Sequence, residues 1–76
     1  MHAPPDPEEF RHLLADRIRA ARLWRNLTQE DLAHRAGVAV RTVVSIESGR
    51  HGSSTDVIYA LARAMDMSVA ELVADE

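Results

Sequence analysis

The sequence predicts an all-α fold, a compact bundle of five helices. Apolar side chains recur at intervals of three and four residues, a spacing that places them on one face of a helix. Helix start signals, in which Asp, Ser or Thr stands shortly before an acidic residue, recur along the chain. No segment shows a convincing alternation of apolar and polar residues, so a half-buried strand is not expected.

The first helix is expected to begin after Asp6 and to end near Trp24. The Asp6 side chain can accept a hydrogen bond in the first turn, Pro7 suits the first helical position, and Glu9 completes a capping box. Asn26 follows the last turn, and asparagine tolerates the left-handed conformation that ends a helix. The predicted inner face consists of Phe10, Leu14, Ile18 and Ala21.

Two short helices come next, joined by a turn of only three residues. Thr28 is the predicted cap of the second helix, which covers about 29–36, and Gly37 ends it with a left-handed residue. The third helix is expected over about 40–48 and stops at Gly49. The inward-facing residues of the second helix are Leu32, Ala33 and Ala36, and on the third helix Val40, Val43, Ile46 and Glu47 recur at helical spacing.

Two further helices are predicted in the last third of the chain. Ser54 or Thr55 caps a fourth helix of about 56–65. Ser68 and Glu71 form a capping box that opens a short fifth helix. The apolar stripes of these helices are Val57, Ile58, Leu61 and Met65 on the fourth, and Leu72 and Val73 on the fifth.

Length and composition describe one small domain. The chain has 76 residues, 46% of them apolar, and no cysteine, so it has a single core with neither disulfides nor thiolate metal ligands. The longest apolar stretch, residues 57–62, is too short to cross a membrane, and the start of the chain lacks the pattern of a signal peptide. We expect a disordered tail over 1–5, one domain over 6–74, an acidic end at 75–76, and a cytoplasmic location.

Charge is segregated along the chain. Residues 1–16 carry one Arg against four carboxylates, a net charge of −3, and residues 52–76 carry one Arg against five, a net charge of −4. Residues 17–51 carry seven Arg against three carboxylates, a net charge of +4. The overall net charge of −3 therefore conceals a basic centre that contains the two short helices. A basic centre of this kind suits a polyanionic partner.

The two short helices and their glycine-led turn match a unit whose second helix can lie in the major groove of DNA. The motifs around it are Leu27-Thr28-Gln29-Glu30-Asp31-Leu32-Ala33, Ala36-Gly37-Val38, Thr42-Val43-x-x-Ile46-Glu47-x-Gly49-Arg50 and Leu61-Ala62-Arg63-Ala64. Over about residues 14–73, the chain resembles the phage repressor and Cro type of helix-turn-helix domain, also called the xenobiotic-response-element family. The resemblance implies a lambda-repressor-like bundle, sequence-specific binding of double-stranded DNA, transcriptional regulation, and a homodimer on a two-fold operator.

The resemblance also implies roles for individual residues. The predicted base contacts are Val40, Arg41, Val44 and Ser45, and the predicted contacts with the DNA backbone are Thr28, Gln29, Thr42, Arg50 and His51. Arg41 is the strongest candidate because a bidentate Arg discriminates guanine by about 1–3 kcal/mol. The two valines either contact thymine methyl groups or form a partly buried flank of the helix. Arg22 and Glu47 are expected to form a structural ion pair between the first and third helices.

Other functions and surfaces were weighed against this interpretation. The four histidines lack metal-ligand spacing, and neither a nucleophilic triad nor a phosphate-cradling loop is present, so no enzyme, metal or cofactor is expected. The alternative function is a protein-binding module such as an antitoxin or accessory subunit, favoured by the acidic total charge. The predicted dimer surface, with ordinary core as its alternative, comprises Met67, Val69, Leu72 and Val73. Trp24 is expected to be half exposed.

Overall fold

Five α-helices and no strand are found in residues 3–74, the part of the chain that the computed structural model describes. They are α1 (Pro7–Trp24), α2 (Gln29–Ala36), α3 (Val40–Glu47), α4 (Thr55–Ala64) and α5 (Val69–Val73). The all-α prediction is confirmed, and each helix begins within one residue of its predicted start. The predicted acidic end at 75–76 and the first two residues of the predicted tail lie outside the described part. Within that part, no helix is long and apolar enough to span a bilayer.

Side-chain caps define where most of the helices begin. At the start of α1, the backbone N–H of Glu9 donates to Asp6 Oδ1 at 2.8 Å, and that of Asp6 donates to Glu9 Oε1 at 3.0 Å. Equivalent capping boxes open α2 and α5, formed by Thr28 with Asp31 and by Ser68 with Glu71. The α4 cap is Ser54, whose hydroxyl accepts from the Val57 amide. Ala39 gives α3 no side-chain cap, so α3 depends on packing for its start.

Glycine ends α2 and closes the segment after α3. Gly37 and Gly49 both have a positive φ, +74° and +72°, which other residues adopt at a cost. Gly49 is also crowded, because a β-carbon there would clash with Nδ1 of His12. The last residue of α3 is Glu47, so the helix is slightly shorter than the predicted 40–48. The chain therefore passes close beneath α1 directly after α3.

Every helix contributes at least one residue to a single core. The most deeply buried side chains are Ile18, Leu32, Val43, Leu61, Met65 and Leu72. Phe10, predicted to lie on the inner face of the first helix, is 40% exposed instead, and Val40, a predicted base contact, is 41% exposed. Phe10 lies in the first turn of α1, which has 18 residues and extends past the eight-residue helix α3. Val40 is the first residue of α3 and is exposed there, although Val43, one turn later, is buried.

The assignment of Leu72 to a dimer surface is wrong. Its side chain is 1% exposed and belongs to the core of its own domain. The five-residue helix α5 packs against both α1 and α4, which cover its inward side completely. Met67 and Val69 are half-buried and pack against the same core, and Val73 is half-buried at the end of the helix. Leu72 could therefore reach a second copy only if the domain opened.

Candidate nucleic-acid interface

The turn between α2 and α3 is built from backbone hydrogen bonds around Gly37. The N–H of Val38 donates to the carbonyl of Ala33 at 3.0 Å, and the N–H of Gly37 donates to the carbonyl of His34 at 3.2 Å. These bonds satisfy the last carbonyls of α2, while the left-handed Gly37 redirects the chain. Because α2 and α3 also pack against each other, the turn and the packing together set the direction of α3.

The two faces of α3 differ sharply in exposure. Val43, Ile46 and Glu47 are buried, whereas Val40 and Val44 are exposed by 41% and 46%. Among the other predicted DNA contacts on α3, Arg41 is exposed, and Ser45 and the predicted backbone contact Thr42 are half-buried. Exposed valines on a short helix are not part of the core, and they give α3 an outer face with both apolar and cationic groups.

An open cleft of about 420 Å³ lies between α3 and the segment that follows it. It is lined by Arg41, Thr42, Ser45, Ile46, Gly52 and Ser53. Arg50 and His51, the predicted backbone contacts beyond α3, are exposed in this same segment. The Ser48 hydroxyl organises the segment, since it donates to the carbonyl of Ser45 at 2.6 Å and accepts from the N–H of Arg50 at 3.2 Å. The structure thus brings α3 and Arg50 to adjacent parts of one surface.

The capping box at the start of α2 uses the Thr28 hydroxyl as an acceptor and the Thr28 backbone N–H as a donor. The Thr28 hydroxyl accepts from the Asp31 N–H at 2.9 Å, and the Thr28 N–H donates to Asp31 Oδ2 at 3.0 Å. The Thr28 backbone bond and, secondarily, its side chain hold the pKa of Asp31 below its usual value. Only the hydroxyl proton of Thr28 is therefore available to a phosphate, alongside the free amides of the first turn of α2.

A buried ion pair joins α1 to α3. Arg22 Nε donates to Glu47 Oε2 at 2.7 Å, and Arg22 Nη2 donates to Glu47 Oε1 at 3.0 Å. Arg22 Nη1 also donates to the carbonyl of Leu27 at 2.8 Å, just before α2 begins. The hydrogen bonds with Glu47 raise the pKa of Arg22 above its usual value, so the guanidinium stays charged. This is the pair that the resemblance implied, with a bidentate geometry that sequence alone does not give.

The same carboxylate also holds the first residue of α2, which the sequence did not predict. Nε2 of Gln29 donates to Glu47 Oε1 at 3.2 Å, and the Gln29 side chain is half-buried. Arg19 Nη1 makes a longer contact of 3.5 Å with the backbone carbonyl of Glu47. No local pattern indicates these contacts, because the partners are 18 and 28 residues apart. Glu47 is thus the point at which α1, α2 and α3 meet.

The basic centre is not uniformly available to a ligand. Arg22 is buried in its ion pair, and Arg19 pairs with Asp16 at 2.7 Å. Arg41 and Arg50 are exposed on and beside α3. No hydrogen bond or ion pair of their side chains is found among residues 3–74. Two cations that the fold leaves for a partner, Arg41 and Arg50, therefore lie on and beside the outer face of α3.

The last turn of α1 differs from expectation. Trp24 is 83% exposed, although it was predicted to be half exposed, and its neighbour Leu23 is also exposed. The side of α1 that packs on the bundle carries Ile18 and Arg22, so Trp24 lies off that side.

Within residues 3–74, no cluster of side chains suited to a metal ion is found.

Comparison with known proteins gives matches over most of the chain. Residues 18–72 match the helix-turn-helix family HTH_3. The chain is 36% identical over 56 residues to an uncharacterized HTH-type transcriptional regulator of Archaeoglobus fulgidus, covering 74% of this chain and 79% of that one. It is 32% identical over 63 residues to the cryptic phage CTXphi transcriptional repressor RstR of Vibrio cholerae, covering 83% of this chain and 57% of that one.

Its fold is also similar to that of solved structures. The restriction-modification controller protein C.AhdI from Aeromonas hydrophila superposes with a TM-score of 0.79 and 32% sequence identity. The similarity covers 82% of this chain and 94% of the controller protein. The matched region therefore contains the whole α2–α3 unit together with the helices that support it.

Proposed function

Because this chain belongs to the helix-turn-helix family HTH_3 and is a DNA-binding transcriptional regulator, not an enzyme, we propose that it acts as a homodimer on duplex DNA. In this proposal, α3 of each protomer enters the major groove, and the protein works in the cytoplasm. The major groove is wide enough to admit one α-helix. The start of α2 and the segment after α3 then lie along the phosphates on either side.

The observation that carries the proposal is the outer face of α3. Val40, Arg41 and Val44 project from the bundle on one side of a helix whose other side is buried. A helix exposing apolar side chains next to a cation suits a surface that offers both methyl groups and hydrogen-bond acceptors. The floor of the major groove is such a surface, because thymine carries a methyl group and guanine carries two acceptors.

We assign base reading to the outer face of α3 and phosphate contacts to its surroundings. Arg41 bonds O6 and N7 of a guanine, the two valines contact thymine methyl groups, and Ser45 offers one further hydroxyl. The backbone contacts are assigned to Thr28 and Gln29 at the start of α2, to Thr42 on α3, and to Arg50 and His51 in the segment that follows α3. With only one long polar side chain among the proposed base contacts, DNA shape contributes part of the specificity.

Titration of labelled duplex tests the DNA-binding assignment of Arg41. The duplex is taken from the region upstream of the gene that encodes the protein, and binding is measured at several salt concentrations. We expect saturable binding that weakens steeply with salt, and a loss of about 5- to 150-fold for Arg41→Ala, corresponding to about 1–3 kcal/mol. Arg63→Ala is the matched control, since it removes the same charge from α4, away from the proposed surface.

The expected outcome for the control is a change of less than about twofold at moderate salt. Equal losses for Arg41→Ala and Arg63→Ala would contradict a specific role for Arg41. Equal affinity of the wild-type protein for random duplex would contradict sequence-specific binding altogether.

A groove of about 310 Å³ supports the homodimer. It lies between the start of α1, α4 and α5, and its apolar lining includes Phe10, Leu14, Ile58, Val69 and Val73. Burying such a groove against a second copy adds apolar contact to a domain whose own core is small. With two-fold symmetry, we expect the two α3 helices to lie about 34–36 Å apart, one turn of duplex DNA.

Sedimentation at micromolar concentration tests this interface. We expect a two-chain species that Val73→Glu converts to a folded monomer, because Val73 is only half-buried within its own domain. Ala20→Glu is the control, adding the same charge at an exposed position of α1, and it leaves the dimer intact. A wild-type protein that stays monomeric at all concentrations and on DNA would rule out the homodimer.

A second binding function is favoured by the exposure of Trp24. An almost fully exposed Trp beside an exposed Leu23 is an unusual pair on a small domain, and Trp is enriched among interface anchors. Trp24 is the sole tryptophan, so its fluorescence reports on its own environment. If Trp24 is the binding site for a partner protein, it keeps the emission of an exposed indole when DNA is bound and the partner is absent. A blue shift on adding DNA alone would instead place Trp24 at the DNA or dimer contact.

A further inference from the structure

We infer that Glu47 is a positioning residue for DNA binding, because its carboxylate holds Gln29 so that the side-chain amide presents a hydrogen-bond donor to a phosphate. This inference rests on the proposed function of Gln29 as a phosphate contact. The ion pair with Arg22 alone would give Glu47 a purely structural role, and the contact with Gln29 adds a second role. Glu47 is the last residue of α3 and Gln29 the first of α2, so one contact joins the two helices at these ends.

The chemistry of the contact determines which end of the amide faces inward. A carboxylate only accepts hydrogen bonds, so the nitrogen of Gln29 and not its oxygen must face Glu47 Oε1, which lies at 3.2 Å. An amide nitrogen carries two protons, and this bond uses one of them. The second proton stays on the same nitrogen and is available to an acceptor such as a phosphate oxygen. Without the carboxylate, the amide can rotate and offer its oxygen, which a phosphate would repel.

Charge explains why a carboxylate is tolerated beside a DNA-binding residue. A free carboxylate next to the proposed phosphate contact would repel the DNA, but Glu47 is buried and bound by Arg22 through two hydrogen bonds. The guanidinium neutralises the carboxylate while leaving Oε1 able to accept from Gln29 as well. Arg22 thus makes it possible for Glu47 to orient Gln29 without adding a net negative charge near the phosphate.

Nuclear magnetic resonance of the intact ¹⁵N-labelled protein tests the inference directly. Gln29 is the only glutamine and Asn26 the only asparagine, so the side-chain amide region contains two pairs of signals. In the free protein, we expect one of the two Gln29 amide protons to be protected from exchange relative to the amide protons of the exposed Asn26. On adding duplex DNA, the unprotected proton shifts and the proton bound to Glu47 stays nearly unchanged. Gln29 amide protons that both exchange as fast as those of the exposed Asn26 would overturn the inference, as would unchanged Gln29 signals in a protein bound to DNA.

A double-mutant cycle on DNA affinity gives an independent test. Gln29→Met keeps the length of the side chain but removes the donor, and we expect it to weaken binding by about tenfold in the wild-type background. In the Glu47→Gln background, the same change is expected to weaken binding by less than about twofold, because the substituted side chain keeps one acceptor oxygen, which the Arg22 guanidinium takes, and no longer holds the Gln29 nitrogen inward. Equal losses in the two backgrounds would show that Glu47 acts only through the fold and would overturn the inference.

A matched control and the wild-type spectra separate the causes of failure. Asp16→Asn removes an exposed carboxylate that does not contact Gln29, so Gln29→Met is expected to lose the full tenfold in that background. If Glu47→Gln does not fold, the wild-type spectra still decide the inference. If duplex DNA changes no signal anywhere in the spectrum, the proposed function itself fails. If backbone signals of α3 shift but neither Gln29 proton does, only the positioning role fails.

Discussion

The helices α3 and α5 are both short and rich in valine and other apolar residues, yet they are used in opposite ways. In α5, Leu72 is buried and its neighbours pack against the same core. In α3, one side is buried while Val40 and Val44 remain in solvent. The attachment also differs, since α3 is joined to α1 and α2 through the polar cluster around Glu47, whereas α5 is held by apolar packing and a capping box.

This difference shows that apolar content does not by itself identify an interface. Leu72 was predicted to contact a second copy because the short helix α5 cannot bury it alone. In the structure, α1 and α4 pack on α5 and bury it. The valines of α3 have no such neighbours, so their exposure is evidence for a ligand surface. The polar attachment of α3 further constrains its direction, because hydrogen bonds depend on geometry more strongly than apolar contacts do.

The largest expected effect comes from breaking the polar attachment of α3. Arg22→Ala leaves the Glu47 carboxylate buried without its cation, and we expect it to lower the free energy of unfolding by about 3–5 kcal/mol. Asp16→Asn is the control, because it removes the exposed ion pair with Arg19, which contributes less than about 1 kcal/mol. Urea denaturation measures both variants. A small effect for Arg22→Ala would mean that α3 is held by apolar packing, as α5 is.

The apolar attachment of α5 is tested by Leu72→Ala. We expect a loss of about 2–5 kcal/mol in the free energy of unfolding, because the change leaves a cavity in the core. Thermal denaturation at several protein concentrations separates this effect from an effect on association. A Leu72→Ala variant that kept its melting temperature but no longer dimerised would contradict the burial of Leu72 in the core of its own domain.

The exposed face of α3 is tested by Val44→Ala. The variant is expected to change the free energy of unfolding by less than about 0.5 kcal/mol, since the side chain is largely in solvent. On the cognate duplex, we expect a loss of about 1 kcal/mol, roughly fivefold in affinity, from lost contact with thymine methyl groups. Replacing thymine by uracil at the contacted position is expected to have the same effect on the wild-type protein and little on the variant. Equal sensitivity of both proteins to uracil would remove Val44 from the base contacts.

The smallest expected effect concerns the capping box of α2, next to α3. The folded pKa of Asp31 lies below its unfolded value, so the carboxylate stabilises the fold above that value, and this stability is lost as the pH falls through the folded pKa. Asp31→Asn is therefore expected to lower the melting temperature at pH 7 and to match the wild type once the pH lies below the folded pKa of Asp31. Glu30→Gln, one position earlier and outside the capping box, is the control and is expected to show a smaller difference. A constant difference at every pH would show that the charge of Asp31 is not responsible.

Much of the fold was predictable because its determinants are local. The capping residues Asp6, Thr28 and Ser68 and the left-handed Gly37 act on backbone groups within a few residues, and the helices begin where these signals predict. The choice between Ser54 and Thr55 as the cap of α4 stayed open, because both residue types can serve. In the structure Ser54 is the cap, since its hydroxyl accepts from the N–H of Val57.

The candidate site was predictable to a lesser degree. The resemblance named the outer face of α3 and the partners Arg22 and Glu47, since these follow from register within a family. It did not indicate that Gln29 donates to Glu47, because that contact depends on how α2 and α3 are positioned in space. The exposure of Trp24 was underestimated for the same reason, since helical spacing does not say which neighbours reach the end of α1.

By itself, the sequence determined the number of helices, their ends and the basic segment that contains α2 and α3, because caps, turns and charge act over a few neighbouring residues. The tertiary structure alone decided that Leu72 is buried, that Val40 and Phe10 are exposed, and that Glu47 holds both Arg22 and Gln29. Burial and buried hydrogen bonds require partners from distant parts of the chain, and which partners meet depends on the directions in which helices cross.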